Sequence, residues 1–178
     1  MRPPEMENDA MKKKPAIRPR GFRTCTTSLA VVDVPAALAF YNAAFDAEIC
    51  ARDADEDTRF ASIKIGNSMM FVTQGWQVSG HVPTQAGAAA PVAQHMYVAD
   101  ADTVVAVAVK AGARLVSDLQ DTYWGERSAT LHDPFGHIWT IATRLEQLSA
   151  EELEQRRAAH QGLVPAEAGD ELETEAAD

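Results

Sequence analysis

Cysteine is scarce in this sequence, and long apolar stretches are missing. The two cysteines, Cys25 and Cys50, sit in strand-like text without metal-ligand spacing, so both read as reduced, buried thiols. No run approaches the roughly 18 apolar residues of a membrane helix, and no apolar segment follows the basic N-terminus. Neither a membrane span nor a secretion signal is expected, and the cytoplasm is the expected compartment. Basic charge is also in deficit, with 16 Lys and Arg against 26 Asp and Glu. Without a clustered Lys/Arg stripe, nucleic acid is not an expected partner.

What is present suits a soluble globular chain. The length of 178 residues and the hydrophobic share of 46% allow one domain with a real core, or two small modules sharing one. Charge divides unevenly: residues 1–20 hold six bases and three acids, 21–145 hold eight and 13, and 146–178 hold two and ten. The net charge of −10 is therefore partly a property of the tail. Residues 1–21, with "MKKKPAIRPR", read as a flexible basic leader, and 161–178, nearly all acidic or small, as a disordered tail.

Between these ends the text alternates in type. "FRTCTTSLAVVD" (22–33) reads as a strand, "VPAALAFYNAAF" (34–45) as a helix with Pro35 in its first turn, and "AEICAR" (47–52) as a second strand. "TRFASIKIG" (58–66) and "SMMFVTQ" (68–74) form a hairpin pattern around Gly66-Asn67. After the Gly- and Pro-containing stretch 75–90 the order returns. A strand over 92–100 precedes a helix over 101–112, and strands over 113–124, 126–133 and 137–144 follow. Asp33 recurs as Asp100, 67 residues on, and the register of strand, Asp, helix and strand holds between the halves. The chain divides into a module over 22–74, a linker over 75–90, a second module over 91–145 and a C-terminal helix over 146–160. The helix opens with Ser149 and Glu152 at capping-box spacing.

The doubled βαβββ order, "VVDVPAALAFYNAAF", "YVADADTVVAVAVKAGARLV" and above all the D-P-F-G-H-I-W segment (133–139) resemble the vicinal oxygen chelate superfamily. This is the glyoxalase, bleomycin-resistance and ring-cleaving dioxygenase group. The resemblance covers about residues 22–145. It implies an α+β fold in which two βαβββ modules form a curved, mostly antiparallel eight-stranded open barrel with a central cleft. It also implies, for enzymes of the group, a divalent metal held by the first and fourth strands of each module, which polarises two neighbouring substrate oxygens.

Carried over residue by residue, those ligand positions fall on Thr26, on Met70 or Phe71, on Ala93 and on Thr140. None supplies the imidazole or carboxylate that a divalent ion requires, so neither metal nor other cofactor is expected. His95, two places after Ala93 on the same strand face, keeps three roles open: a hydrogen-bonding pocket residue, a general acid or base, and a displaced metal ligand.

Strand alternation then draws a cleft lined by Thr26, Ser28, Met70, His95, Tyr97, Ile138 and Thr140, with Tyr123 and Trp124 at its rim. Tyr97, Met70 and Ile138 read equally well as core. His132, His137 and Trp139 read as structural, Trp76 and His81 as a lid or a support for the partner module, and Glu126 with Arg127 as a surface pair first and as a holder of a ligand's acidic group second. The leading functional expectation is a metal-free binder of a small aromatic or antibiotic-like molecule. The alternatives are a metal-dependent lyase, isomerase or dioxygenase, or acid-base chemistry through His95, and a non-catalytic interaction domain. A homodimer is expected from the resemblance alone.

Overall fold

The computed structural model describes residues 16–84 and 88–163. Most of the leader, three linker residues and the acidic tail, whose flexibility was expected above, lie outside them. The element order is β1 (Ser28–Ala30), α1 (Val34–Phe45), β2 (Glu48–Arg52), β3 (Phe60–Ile65), β4 (Ser68–Thr73), β5 (Ala93–Tyr97), α2 (Ala101–Lys110), β6 (Arg114–Asp121), β7 (Glu126–His132), β8 (Ile138–Arg144) and α3 (Ala150–Leu163). The architecture is α+β with a doubled βαβββ module. Its eight strands form two four-stranded mixed sheets, ordered β1-β4-β3-β2 and β5-β8-β7-β6, that do not close into a barrel. In each sheet the first and fourth strands of the module pair in parallel and the other pairs are antiparallel.

The repeat is anchored at its two aspartates. Asp33 accepts from the Ala36 amide and Asp100 from the Thr103 amide, so each caps the helix that follows it. The first module's helix carries Val34, Ala37, Leu38, Tyr41 and Phe45 on its buried side. These pack on Leu29, Ile63 and Val72 of the first sheet and meet Leu131, Trp139 and Ile141 of the second in one continuous core. Both modules therefore share a single apolar interior. Phe45 and Trp139 bring their ring centroids to 4.6 Å across the module boundary.

The D-P-F-G-H segment is the joint that fixes this arrangement. Asp133 Oδ1 accepts the amides of Phe135 and His137, while Oδ2 accepts the Tyr41 hydroxyl and the Trp139 indole N–H, with His137 Nδ1 at 3.3 Å. Burial alone would raise the Asp133 carboxyl, but the hydrogen bond and charge of His137, with the Tyr41 and Trp139 donations, hold it below its ordinary value. Gly136 adopts φ +90, and a side chain there would crowd Thr84 and the Ala88 carbonyl of the linker at 3.1 Å. His137 and Trp139 are buried and structural, as alternation predicts.

Several expectations require correction. The first strand is three residues long rather than spanning 22–33, because only Ser28–Ala30 find partners on β4. Both cysteines are exposed, not buried. Cys25 precedes the short strand, and Cys50 sits at the irregularity of β2, whose residues are exposed throughout. The C-terminal helix runs to Leu163, and its capping box forms as the spacing predicts, with Ser149 and Glu152 bonding reciprocally. Among the described residues no helix is long and apolar enough to cross a membrane.

Candidate functional site

On each sheet one face meets α1 and α2 in the core and the other faces away from them. Register shows which side chains share the second kind of face in the second module: His95 lies beside Thr140, and Thr140 beside Thr130. Tyr97 lies beside Ala142, and Ala93 beside Ile138. His95, Tyr97, Ile138 and Thr140 are thus brought together as alternation predicts, on the side opposite Trp139.

In the first module the same logic separates two residues that the sequence left open. Ser28 pairs with Phe71, while Met70 pairs with the buried Ile63 and turns toward the helices. Phe71, not Met70, therefore shares the face of Ser28. Its ring stacks on Phe22 at 5.3 Å and packs against Phe60 at 5.2 Å. Ser28 Oγ is buried without a hydrogen-bond partner, and Thr26 lies half-buried just before the strand. Trp76 and His81 stack on each other at 5.7 Å, and His81 Nε2 lies 3.1 Å from the Ser28 carbonyl. Both linker residues lie against the first module.

The polar centre of the His95 face forms around a residue that the sequence reading did not place in the cleft. Glu126, read as half of a surface pair with Arg127, is 9% exposed. Successive strand residues point to opposite faces, so the two cannot pair. Arg127 instead forms a bidentate pair with Asp102 at 2.7 and 2.8 Å and reaches Asp121 at 3.0 Å. Glu126 turns to the face of His95 and Tyr97. Tyr97 donates its hydroxyl to Oε1 at 2.7 Å, Trp124 donates its indole N–H to Oε2 at 2.8 Å, and His95 Nε2 stands 3.8 Å from Oε2. The donation to Glu126 is the main cause that raises the Tyr97 hydroxyl above its ordinary value. The signal was present, because Glu126 stands two and four places before Ser128 and Thr130 on the same face.

The local backbone is built to hold this cluster. Thr122 and Gly125 close a tight turn, and the Thr122 hydroxyl donates to the Glu126 carbonyl while accepting the Glu126 amide. Tyr123 and Trp124 occupy the turn's two central positions and meet edge to face at 4.8 Å. Gly125 adopts φ +86, where a Cβ would fall 2.9 Å from Glu146 Cγ. Its carbonyl accepts the amides of Leu145 and Glu146, and Tyr123 contacts His160, so α3 is tethered beside the cluster.

Two cavities meet at Tyr97. One, of about 970 Å³, runs between the modules and is lined by Phe45, Met70, Met96 and Trp139 with Thr27, Gln94 and His95. The other, of about 770 Å³, lies between Tyr97, Trp124, Glu126 and Arg144 and the Leu148 and Leu153 side chains. Met70 therefore lines a cavity, but from the helix side. Thr27 donates to Gln94 at 3.3 Å and links the modules beside it.

The metal that the fold implies finds no matching donors. Thr26, Ala93 and Thr140 carry no imidazole or carboxylate, and Met70 points to the other face. Among the described residues no three His, Cys, Asp or Glu side chains group to hold an ion. His95 and Glu126 supply two donors at most, and both Glu126 oxygens already accept hydrogen bonds.

The family model described as Glyoxalase/Bleomycin resistance protein/Dioxygenase superfamily matches residues 24–141. The uncharacterized protein Rv0887c of Mycobacterium tuberculosis is 32% identical over 151 residues, covering 82% of this chain and 84% of its own. Among solved structures, TioX from Micromonospora sp. ML1 superposes with a TM-score of 0.54 at 26% identity, over 67% of this chain and 97% of its own. The fosfomycin resistance protein FosX of Listeria monocytogenes shares the fold with a TM-score of 0.56 at 15% identity, over 75% of this chain and 97% of its own.

Proposed function

The chain belongs to the glyoxalase/bleomycin resistance protein/dioxygenase superfamily, and we propose that within it the protein binds a small, planar, partly polar organic molecule without a metal. The observation that carries this reading is the cluster of His95, Tyr97 and Trp124 around Glu126, beside the two cavities that meet at Tyr97, in a chain whose metal-ligand positions carry Thr26, Ala93 and Thr140. Such a surface holds a ligand by burial and stacking, with a few hydrogen bonds to set its orientation. An antibiotic-like molecule is one such ligand.

Hydrophobic side chains left exposed away from the Glu126 cluster, Val92 at 63% and Trp76 at 52%, support a homodimer that covers part of these surfaces. A second reading, acid-base catalysis, is favoured by one observation. His95 lines the cavity between the modules with Nε2 3.8 Å from Glu126, where its imidazole would exchange a proton with a bound substrate. A thermal-shift screen of aromatic metabolites and antibiotics tests the binding reading, with each hit incubated and checked for chemical change. A stabilising ligand recovered intact supports the binder, a converted one supports acid-base chemistry, and the absence of any hit overturns both.

A further inference from the structure

Among the described residues two acidic side chains are buried, and they are treated differently. Asp133 faces five donors: three from side chains and two from backbone amides. Glu126 receives two, one on each oxygen. A carboxylate offers about four acceptor positions, so Asp133 is saturated and Glu126 is not. Since both Glu126 oxygens accept, neither is engaged as a donor and the arrangement suits the anion.

Among the described residues the basic group nearest this anion is a histidine and not a Lys or Arg. No Lys or Arg of the described residues pairs with it within 4.0 Å. Arg144, its neighbour across the strands, is exposed and directs Nε to the Glu146 carbonyl. His95 stands 3.8 Å away, beyond hydrogen-bond reach. With one donor on each oxygen and His95 3.8 Å away, the carboxylate keeps acceptor positions free for a donor or cation on a ligand.

The groups around the carboxylate suit one ligand chemistry. Tyr97 and Trp124 hold it with their polar edges, and both rings stay open to the adjoining cavities, at 63% and 45% exposure. Aromatic faces beside an anion attract a cation twice, through the ring quadrupole and through the charge. We propose that Glu126, held between Tyr97 and Trp124, is the recognition point for a cationic nitrogen on the ligand, a protonated or quaternary amine. This inference rests on the binding reading above and adds the ligand's charge to it.

The test compares two probes that share a ring and differ in charge, benzyltrimethylammonium and benzyl alcohol. They are titrated into the full chain at matched ionic strength and followed by calorimetry and tryptophan fluorescence. The ammonium probe is expected to bind at least tenfold more tightly than the alcohol, and Glu126→Gln to bring the two within about twofold. Tyr97→Phe removes the hydroxyl on Oε1 but keeps the ring and frees the charge, so the preference for the cation should grow. If Glu126→Gln does not fold, that growth supports the assignment and an unchanged or lost preference overturns it. Equal binding of both probes, or a preference that survives Glu126→Gln, overturns the cationic assignment and leaves the binding reading standing. Binding of neither probe overturns the assignment, and a failed aromatic screen would then remove the binding reading as well.

Discussion

The Tyr41 hydroxyl, carried by the helix of the first module, donates to Asp133 Oδ2 in the second module at 2.7 Å. The two residues are 92 positions apart, and their bond closes a polar network inside the shared aromatic core. The motif that carries most of the family resemblance therefore serves as the lock between modules. Burial, then the Asp133 charge and hydrogen bond, raise the Tyr41 hydroxyl well above its ordinary value, so the neutral donor is the form the core selects.

Tyr41→Phe removes that donation and keeps the ring. Hydrogen bonds to charged groups contribute about 1.5–3 kcal/mol, and the loss measured by urea unfolding should fall in that range, with the sheets intact by circular dichroism. A loss under about 0.5 kcal/mol would show that the network does not join the modules.

Acid should weaken the same joint. The Asp133 carboxyl is held below its unfolded value, so its contribution is present above the unfolded pKa of about 3.9 and is lost as pH falls through the folded value. Asp133→Asn should be less stable than the parent at pH 7, and the gap should narrow below about pH 4. A gap that stays constant from pH 7 to pH 3 would contradict this assignment.

Gly125→Ala places a Cβ in the left-handed region and against Glu146. The expected cost exceeds about 1 kcal/mol, because both the backbone and the neighbour must shift. The consequence should concentrate at α3, read as faster proteolysis between residues 146 and 163 and as altered Trp124 fluorescence.

Metal content separates the binder from the enzymes of the family. Protein purified without chelator, then incubated with Zn²⁺, Ni²⁺, Mn²⁺ or Fe²⁺ and desalted, should retain far less than one ion per chain by plasma mass spectrometry. One tightly held ion per chain, lost in His95→Ala, would instead make His95 a ligand and restore the metalloenzyme reading.

His95→Ala should fold normally, since the imidazole lies on a half-exposed face outside the core. Under the binding reading, affinity for a ligand found in the thermal screen drops several-fold. Under acid-base catalysis, turnover is abolished while affinity changes little.

Local patterns were enough to reveal the doubled module. Helix caps at Asp33 and Asp100, the Gly66-Asn67 hairpin and the alternation along β5 and β8 each depend on residues close in the chain. The sequence by itself thus determined the order of strands and helices, the doubling of the module and the shared face of His95, Tyr97 and Thr140. What it could not decide depended on partners far away. Whether Met70 or Phe71 faced Ser28 was settled by the register of β1 on β4, and a shift of one residue exchanges the faces. Glu126 looked like one more charge beside Arg127 until the turn at Thr122–Gly125 brought Trp124 back onto it and β5 brought Tyr97 alongside. The tertiary structure alone decided that this carboxylate is buried, because the enclosure comes from side chains on different elements, and no local periodicity records which of them meet.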